Sequence, residues 1–549
     1  MTANTIPAEL LRAVVDRLIP ADADPGALDL GTQDYVMRQL DGEARGHAQS
    51  IAAGLADLDT AVRARHGTGF AALPDAHKDS ALATVQSEPW FAALAELCAE
   101  GFYADPGNGG NSGARSWAMI GYEHRLPEGP DGPPPAPEAV PPRRTGRPQP
   151  DYDCIVVGAG AAGGIIANVL AQAGKRVLVL ERGPHMTYRS HGRRDHLRNQ
   201  RLSRYGHNAG PPIEGNPRVL VGPDGVARTL RPHEGGYHNN AAAVGSGTVV
   251  YGMQAWRFLP DDFRMASRYG VPAGSSLTDW PIGYDDLAPY YEQAEWEIGV
   301  SGEGGANIGQ GARRRGYPMP AMPQHRTGAL LRQGAERLGI RTFTPPLLIN
   351  SVPREERGAC IECGSCVGFP CPSNAKNGTW NTVLPRALAT GNCELVAGAT
   401  VERIDTDAHG KVTGVSYVEE DDGAPVRRSA RARAVVLCAG AIESARLLLL
   451  SASRHHPNGL GNARDQVGRN LQGHYYAGAW GQFEDEVYDP RGPGVTIATC
   501  DFNHGNDGII GGGMLADDFI MLPVIFWKTA RPEDAAQWGL AAKAFMRDN

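Results

Sequence analysis

The chain has no surplus of basic charge: Lys and Arg total 53 against 61 Asp and Glu, a formal net charge of -8. That balance argues against a nucleic acid or an anionic membrane surface as the main partner, because either needs a cationic footprint. Long apolar runs are missing as well. No segment reaches the ~20 apolar residues of a transmembrane helix. In MTANTIPAELLRAVVDRL, residues Glu9, Arg12, Asp16 and Arg17 interrupt every run, so no secretory leader is read there. Cysteine is sparse, nine in 549 residues, and four of the nine fall within twelve positions. The expected compartment is a reducing cytoplasm, where clustered thiols suggest a metal or redox site before a disulfide framework. No internal repeat is found. What is left is an ordinary globular composition, 42% hydrophobic and 21% charged, which excludes wholesale disorder.

Against that background one stretch stands out, DYDCIVVGAGAAGGIIANVLAQAGKRVLVLERG from Asp151 to Gly183. Cys154 to Val157 is the short apolar run of a buried parallel strand, and Gly158, Gly160 and Gly163 follow in G-x-G-x-x-G spacing. The spacing allows a tight turn, a close approach of backbone, including Ala159, to a pyrophosphate, and close packing of the next helix. That helix is predicted from Ala161 to about Ala173 and offers free N–H groups to an anion. Arg176 to Leu180 reads as the second strand, delivering Glu181 at its carboxyl end, where an acid can accept ribose hydroxyl hydrogen bonds. A second strand-turn-helix pattern lies at Arg433 to Ser451, with Val435 to Cys438 as strand, Ala439 and Gly440 as turn and Ile442 to Leu450 as helix. A dinucleotide domain built from two separated stretches is therefore expected.

Ten of the 24 residues from Pro127 to Pro150 are proline, a density that blocks helix and sheet and reads as an extended linker. Before it, Leu10, Leu11, Val14, Val15, Leu18 and Ile19 recur at helical spacing up to Pro20, and Ile51, Leu55, Leu58 and Val62 mark a second amphipathic helix. Residues 1–125 are predicted to be a mainly helical domain and 126–150 the linker.

Several segments carry a family resemblance. IPADADPGA at Ile19 to Ala27, with GFYADPGNGGN and SWAMIGY further on, makes Ala8 to Tyr122 similar to the small subunit of gluconate 2-dehydrogenase, here fused to its flavoprotein. From Tyr152 onward the chain resembles glucose-methanol-choline (GMC) flavoprotein oxidoreductases, in particular the large subunits of gluconate, sorbitol and related sugar dehydrogenases. The resemblance rests on the ending LERG, on VGSGTVVYGMQAWRFLPDDF from Val244 to Phe263, on DWPIGYDDLAPYYEQAEWEIGVSG, on AGAIESARLLLLS and on VGRNLQGH. It implies FAD as the cofactor, contacted by Arg182, Val244, Gly245, Thr248, Tyr251, Gly252 and Met253 besides the glycine turn. Tyr251 stands where the usual pattern has Asn. GATVERI resembles the strand whose backbone touches adenine, which nominates Val401. The implied fold is α/β, an FAD-binding Rossmann-like domain with an antiparallel-sheet substrate domain behind the helical one. The FAD-binding domain is expected at 151–300 and 396–475, a Cys-rich insertion at 301–395 and the start of the substrate domain at 476–549.

The implied reaction is oxidation of a sugar, polyol or sugar-acid alcohol, with hydride passing to flavin N5 and electrons to a cytochrome, quinone or other carrier. A histidine suits removal of the hydroxyl proton because imidazole titrates near neutral pH. In the family that residue lies in the carboxyl-terminal segment, whereas the last histidine here is His504 and nothing after it matches, so a C-terminally truncated sequence is expected and no catalytic base is named. His238 and His474 are read as structural or solvent-facing. An oxygen-using oxidase and a catalytically silent flavin-binding subunit are the alternatives. Cys360, Cys363, Cys366 and Cys371 form C-x2-C-x2-C-x4-C followed by Pro372, one residue longer than the bacterial ferredoxin pattern. Soft thiolates so spaced suit an iron–sulfur cluster or zinc, and a metal-free loop remains the third option.

Overall fold

The computed structural model describes residues 6–42, 44–123, 151–188, 217–231, 241–304, 311–364, 366–421, 424–518, 522–529, 531–532 and 534–549. The proline-rich stretch and His238 lie outside these. The chain divides into two compact units.

The first unit is built on helices α1 (Ala8–Leu18), α2 (Thr32–Asp41), α3 (Arg45–His66), α4 (Asp75–Ala83), α5 (Pro89–Tyr103) and α6 (Arg115–Met119). Leu11, Val14, Val15 and Leu18 give α1 one buried stripe, and α3 buries Ile51, Leu55, Leu58 and Val62, at the spacing the sequence predicts. α5 is different. Phe91, Leu94, Leu97, Cys98, Phe102 and Tyr103 are buried around most of its circumference, as befits the central helix of a bundle.

The same core contains residues from the far end of the chain. Val524 and Trp527 of helix Pro523–Thr529, and Ala542 and Met546 of helix Gly539–Asp548, are buried in it, with Trp527 stacked on Tyr103 at 5.8 Å between ring centroids. Lys528 Nζ donates to Glu96 Oε1 at 2.6 Å and to the buried Glu100 Oε1 at 3.0 Å. Lys543, with a fully buried side chain, donates to Pro20 O at 3.1 Å and Asp24 O at 2.9 Å and pairs with Asp22. The Lys543 hydrogen bond holds the Asp22 carboxyl down at about 2. The start of a substrate domain expected at 476–549 is thus divided, its last two helices completing the N-terminal bundle. Among described residues 476–518 the regular pairing is a single two-residue ladder, Ala498–Thr499 with Leu515–Ala516.

The second unit is organised by strands β1 (Tyr152–Val157) and β2 (Val177–Glu181), linked by α7 (Ala161–Gln172). A separate hairpin, β3 (Arg218–Val221) with β4 (Ala227–Leu230), belongs to the first unit. The sheet continues with β5 (Cys393–Ala397), β6 (Thr400–Thr406), β7 (Val412–Asp421) and β8 (Ala424–Leu437) in the order β5-β2-β1-β8-β7-β6. β5, β2, β1 and the second half of β8 run parallel, while β8, β7 and β6 form an antiparallel meander. One long strand therefore serves both parts: Tyr152 pairs with Ala432 and Val157 with Leu437, while Gly414 pairs with Arg431 and Asp421 with Ala424. Ile155, Leu178, Val396, Val415, Tyr417 and Leu447 share one core. Among the described residues no helix is long and apolar enough to cross a membrane.

Candidate functional site

The carboxyl ends of β1, β2 and β8 meet at one edge, the place where open parallel sheets hold ligands. Gly158 turns the chain out of β1 at φ +100°, and a Cβ there would come within 2.5 Å of Cys438 O at the end of β8. The two separated strand ends thus touch through a position open only to glycine. Gly163 sits on α7 directly over the turn, where a Cβ would lie 1.9 Å from Gly158 O. Gly160 caps α7 without a side chain, so the helix offers its first N–H groups to an anion. Ala439 and Gly440 form the corresponding turn after β8, and helix Gly440–Leu450 starts there.

Glu181 ends β2 as expected, 94% buried, and its carboxylate is already engaged by backbone: Ala159 N–H donates to Oε2 and Gly183 N–H to Oε1, both at 2.8 Å. Each oxygen keeps a further lone pair for a hydroxyl donor. Burial raises the Glu181 pKa, opposed by the two backbone hydrogen bonds. Arg182 lies 3.6 Å from Glu443 of the β8 helix, an ion pair that ties the two halves of the edge together.

The 244–253 loop lies over this edge. Val244 N–H donates to Pro184 O and Gly245 N–H to Ala159 O, both at 3.0 Å. Thr248 folds back on Gly245 O at 2.6 Å. The Tyr251 hydroxyl donates to Asn377 O, and burial drives its pKa up. Gly252 and Met253 are buried, with Met253 at φ +62°. Val401 is buried in β6, paired with Tyr417.

Beneath this loop runs a segment that sequence reasoning passed over, 374–382. Thr379 Oγ1 donates to Gly160 O at 3.2 Å, and a Cβ on Gly164 of α7 would strike the Thr379 side chain. Asn377 donates to Asn350 Oδ1 at 2.9 Å and Gly299 O at 2.7 Å, and Asn381 donates to Asn374 Oδ1 at 2.8 Å and to Lys376 O at 2.9 Å. Lys376 donates to Phe369 O at 2.8 Å and reaches Val249 O at 3.4 Å. Asn374, Lys376, Asn377, Thr379, Asn381 and Thr382 are all buried, so the only signal in the sequence was a run of polar residues dense enough to need mutual hydrogen bonds. Trp380 is 93% buried against Gly245 and Gly378, and among the described residues its Nε1–H has no acceptor. A glycine-lined turn, an uncapped helix N-terminus, a buried acid with spare lone pairs and an orphaned indole N–H together fit a dinucleotide cofactor.

The four clustered cysteines lie on an adjacent loop. Gly368 N–H donates to Val250 O at 2.7 Å, and Cys366 Sγ stands 3.9 Å from Met253 Sδ. Cys360 accepts from Glu362 N at 3.3 Å, and Cys371 lies 3.5 Å from Ser373 Oγ. Cys363, Cys366 and Cys371 are buried, and burial pushes the Cys366 thiol up to about 11. Among the described residues no three His, Cys, Asp or Glu side chains converge where a metal ion would sit. His474 is exposed beside Tyr476.

Comparison with known proteins bears on both units. The GMC oxidoreductase profile matches residues 155–476, and the profile for gluconate 2-dehydrogenase subunit 3 matches residues 7–123. The fructose dehydrogenase large subunit of Gluconobacter japonicus is 30% identical over 370 residues, covering 64% of this chain and 64% of that protein. The 6'''-hydroxyparomomycin C oxidase of Streptomyces lividus is 32% identical over 361 residues, 64% of this chain and 60% of that protein. The gluconate 2-dehydrogenase flavoprotein of Pantoea cypripedii is 28% identical over 439 residues, 72% and 69% respectively. The chain spans a little under two thirds of the first two relatives.

Proposed function

Because the chain belongs to the GMC oxidoreductase family, we propose that it holds FAD at the β1–β2–β8 edge and oxidises an alcohol carbon of a sugar, polyol or sugar acid. The observation that carries the reading is the Gly158–Cys438 contact, which closes one dinucleotide cradle from two stretches inside the family match. The chemistry a bound flavin supplies is acceptance of a hydride from the alcohol carbon. The amides at the α7 N-terminus would hold the pyrophosphate, and Glu181, held by Ala159 and Gly183, would present fixed acceptors to the ribose. Thr248 to Met253 would wall a bound flavin, braced from behind by the Tyr251–Asn377 hydrogen bond. Such bracing holds the reacting centres in place without further ordering on binding. In this reading residues 7–123 stand where relatives use a separate small subunit, and electrons leave to a cytochrome or quinone.

Purified protein reconstituted with FAD is expected to show an oxidised flavin spectrum that bleaches when a sugar, polyol or sugar acid is added without air. Dye reduction with little peroxide supports a dehydrogenase; stoichiometric peroxide supports an oxidase, the reading favoured by the Streptomyces relative's name. Bound flavin that no such alcohol bleaches overturns both and leaves a silent flavin-binding subunit.

An iron–sulfur relay at Cys360, Cys363, Cys366 and Cys371 is a finer reading, supported by their spacing and by the Gly368–Val250 and Cys366–Met253 contacts with the flavin loop. The thiols as placed do not form a metal site, so no electron step is assigned to them. About three or four irons per chain with matching acid-labile sulfide would establish the relay, and iron-free, fully active protein would retire it.

A further inference from the structure

Two cations are buried in the segment network behind the 244–253 loop. Lys376 is fully buried, and its ammonium has two backbone carbonyls as acceptors, Phe369 O and Val249 O. Arg357 is 92% buried, donates to Asn374 O at 3.2 Å and to Asn377 Oδ1, and keeps an Nη2 with no acceptor among the described residues. Among the described residues neither forms an ion pair. Burying an unpaired charge costs several kcal/mol, and backbone carbonyls recover part of that through their dipoles alone. An arrangement with two such charges is balanced when a negative charge arrives close by.

The cations do not face that charge equally. Arg357 bonds only Asn374 and Asn377 of the segment, not the loop itself, and Glu355 is the acid that acts on it most. Lys376 bonds the loop itself at Val249, immediately beside Thr248. The group expected on the other side of the loop is the one that gains electron density in the proposed reaction.

We infer that Lys376 is a positioning residue whose buried positive charge, seated behind the flavin loop, makes a bound flavin a stronger acceptor of negative charge. The inference rests on the FAD reading above and concerns the cofactor's electronic tuning, one of the levers a protein has over a flavin. At the low effective dielectric of a buried site a single charge acts through a loop's thickness, whereas an exposed one would be screened. The two hydrogen bonds hold the ammonium still, so its field needs no reorganisation during turnover.

Sulfite is the probe. It adds to oxidised flavin at N5, forming an S–N bond and leaving the negative charge on the flavin ring; the adduct is colourless, and its affinity reports how well the surroundings stabilise that charge. Lys376→Gln keeps donors for Phe369 O and Val249 O while removing the charge. Its FAD-loaded form is expected to bind sulfite about tenfold more weakly than wild type, with Lys376→Arg close to wild type. A Gln variant that retains FAD and binds sulfite with wild-type affinity overturns the inference, whatever its thermal stability. So does a Gln variant altered only in iron or thiol content, which would assign the charge to the cysteine loop. Should the variants not fold, wild-type protein decides: sulfite affinity no better than that of free FAD overturns the role of Lys376. Wild-type protein that stays colourless after incubation with FAD fails earlier, at the cofactor reading itself.

Discussion

Gly163→Ala protein is expected to emerge from purification nearly colourless, with FAD content below roughly a tenth of wild type. The added Cβ would lie 1.9 Å from the carbonyl oxygen of Gly158. Both partners are backbone, so no rotamer change relieves the clash, and α7 must lift from β1. Overpacking of this kind costs about 1–3 kcal/mol or more. Here the displacement is concentrated on the turn whose amides receive the pyrophosphate. Gly334→Ala is the matched control: helix Arg326–Arg337 carries it, nothing lies within 4 Å of the new Cβ, and no positive φ is involved. That protein should keep full flavin content and gain slightly in stability from higher helix propensity. Flavin-to-protein absorbance ratios for the two variants test the prediction, and a yellow Gly163→Ala protein would refute the assigned packing.

Lys543→Ala should lower the melting temperature of the helical unit by about 6–12 °C, corresponding to about 3 kcal/mol for removing one partner of a buried pair. The substitution strands Pro20 O and Asp24 O and leaves the Asp22 carboxylate with Arg547 as its remaining cation, at 3.3 Å. The Asp22 side chain is 30% exposed, so its charge is partly re-solvated and the lower end of the range for broken buried pairs applies. Asp22→Asn, which leaves both carbonyls satisfied, should cost less. The pair also sets a pH dependence. Asp22 is held at about 2 in the folded protein against an ordinary 3.8. Its contribution is complete above pH ~4 and is lost as pH falls from there towards about 2. Thermal melts across that window should show a steeper acid loss for wild type than for Lys543→Ala; parallel curves would remove the pair from the account.

The parts of the fold that were legible are those in which local pattern and tertiary role agree. Cys154 to Val157 and the three spaced glycines predict β1, the turn and α7 to within two residues, because a buried parallel strand has to be apolar throughout and a dinucleotide turn has to be open. β8 was half legible. Its apolar end at Val435 was read as strand, but the strand begins at Ala424, where PVRRSARAR pairs in an exposed antiparallel ladder whose residues give no hydrophobic period. Residues 374–382 carry no legible motif because buried polar networks have no periodicity; their meaning lies in partners as distant as Gly160 and Asn350. Lys528 and Lys543 were invisible for the same reason, since a lysine on a helix ordinarily marks the solvated face.

The helices Pro523–Thr529 and Gly539–Asp548 place an order on biosynthesis. The bundle begun by residues 7–123 waits for residues on the order of 400 positions later, which at about 5–20 residues per second is roughly 20–80 s. Until Trp527 and Met546 arrive, Tyr103 and its neighbours present an unfilled apolar seam to solvent and to chaperones. The nascent chain is therefore most vulnerable to capture or proteolysis during translation of the flavin-binding portion, and pulse-labelled intermediates should acquire protease resistance in that N-terminal region last.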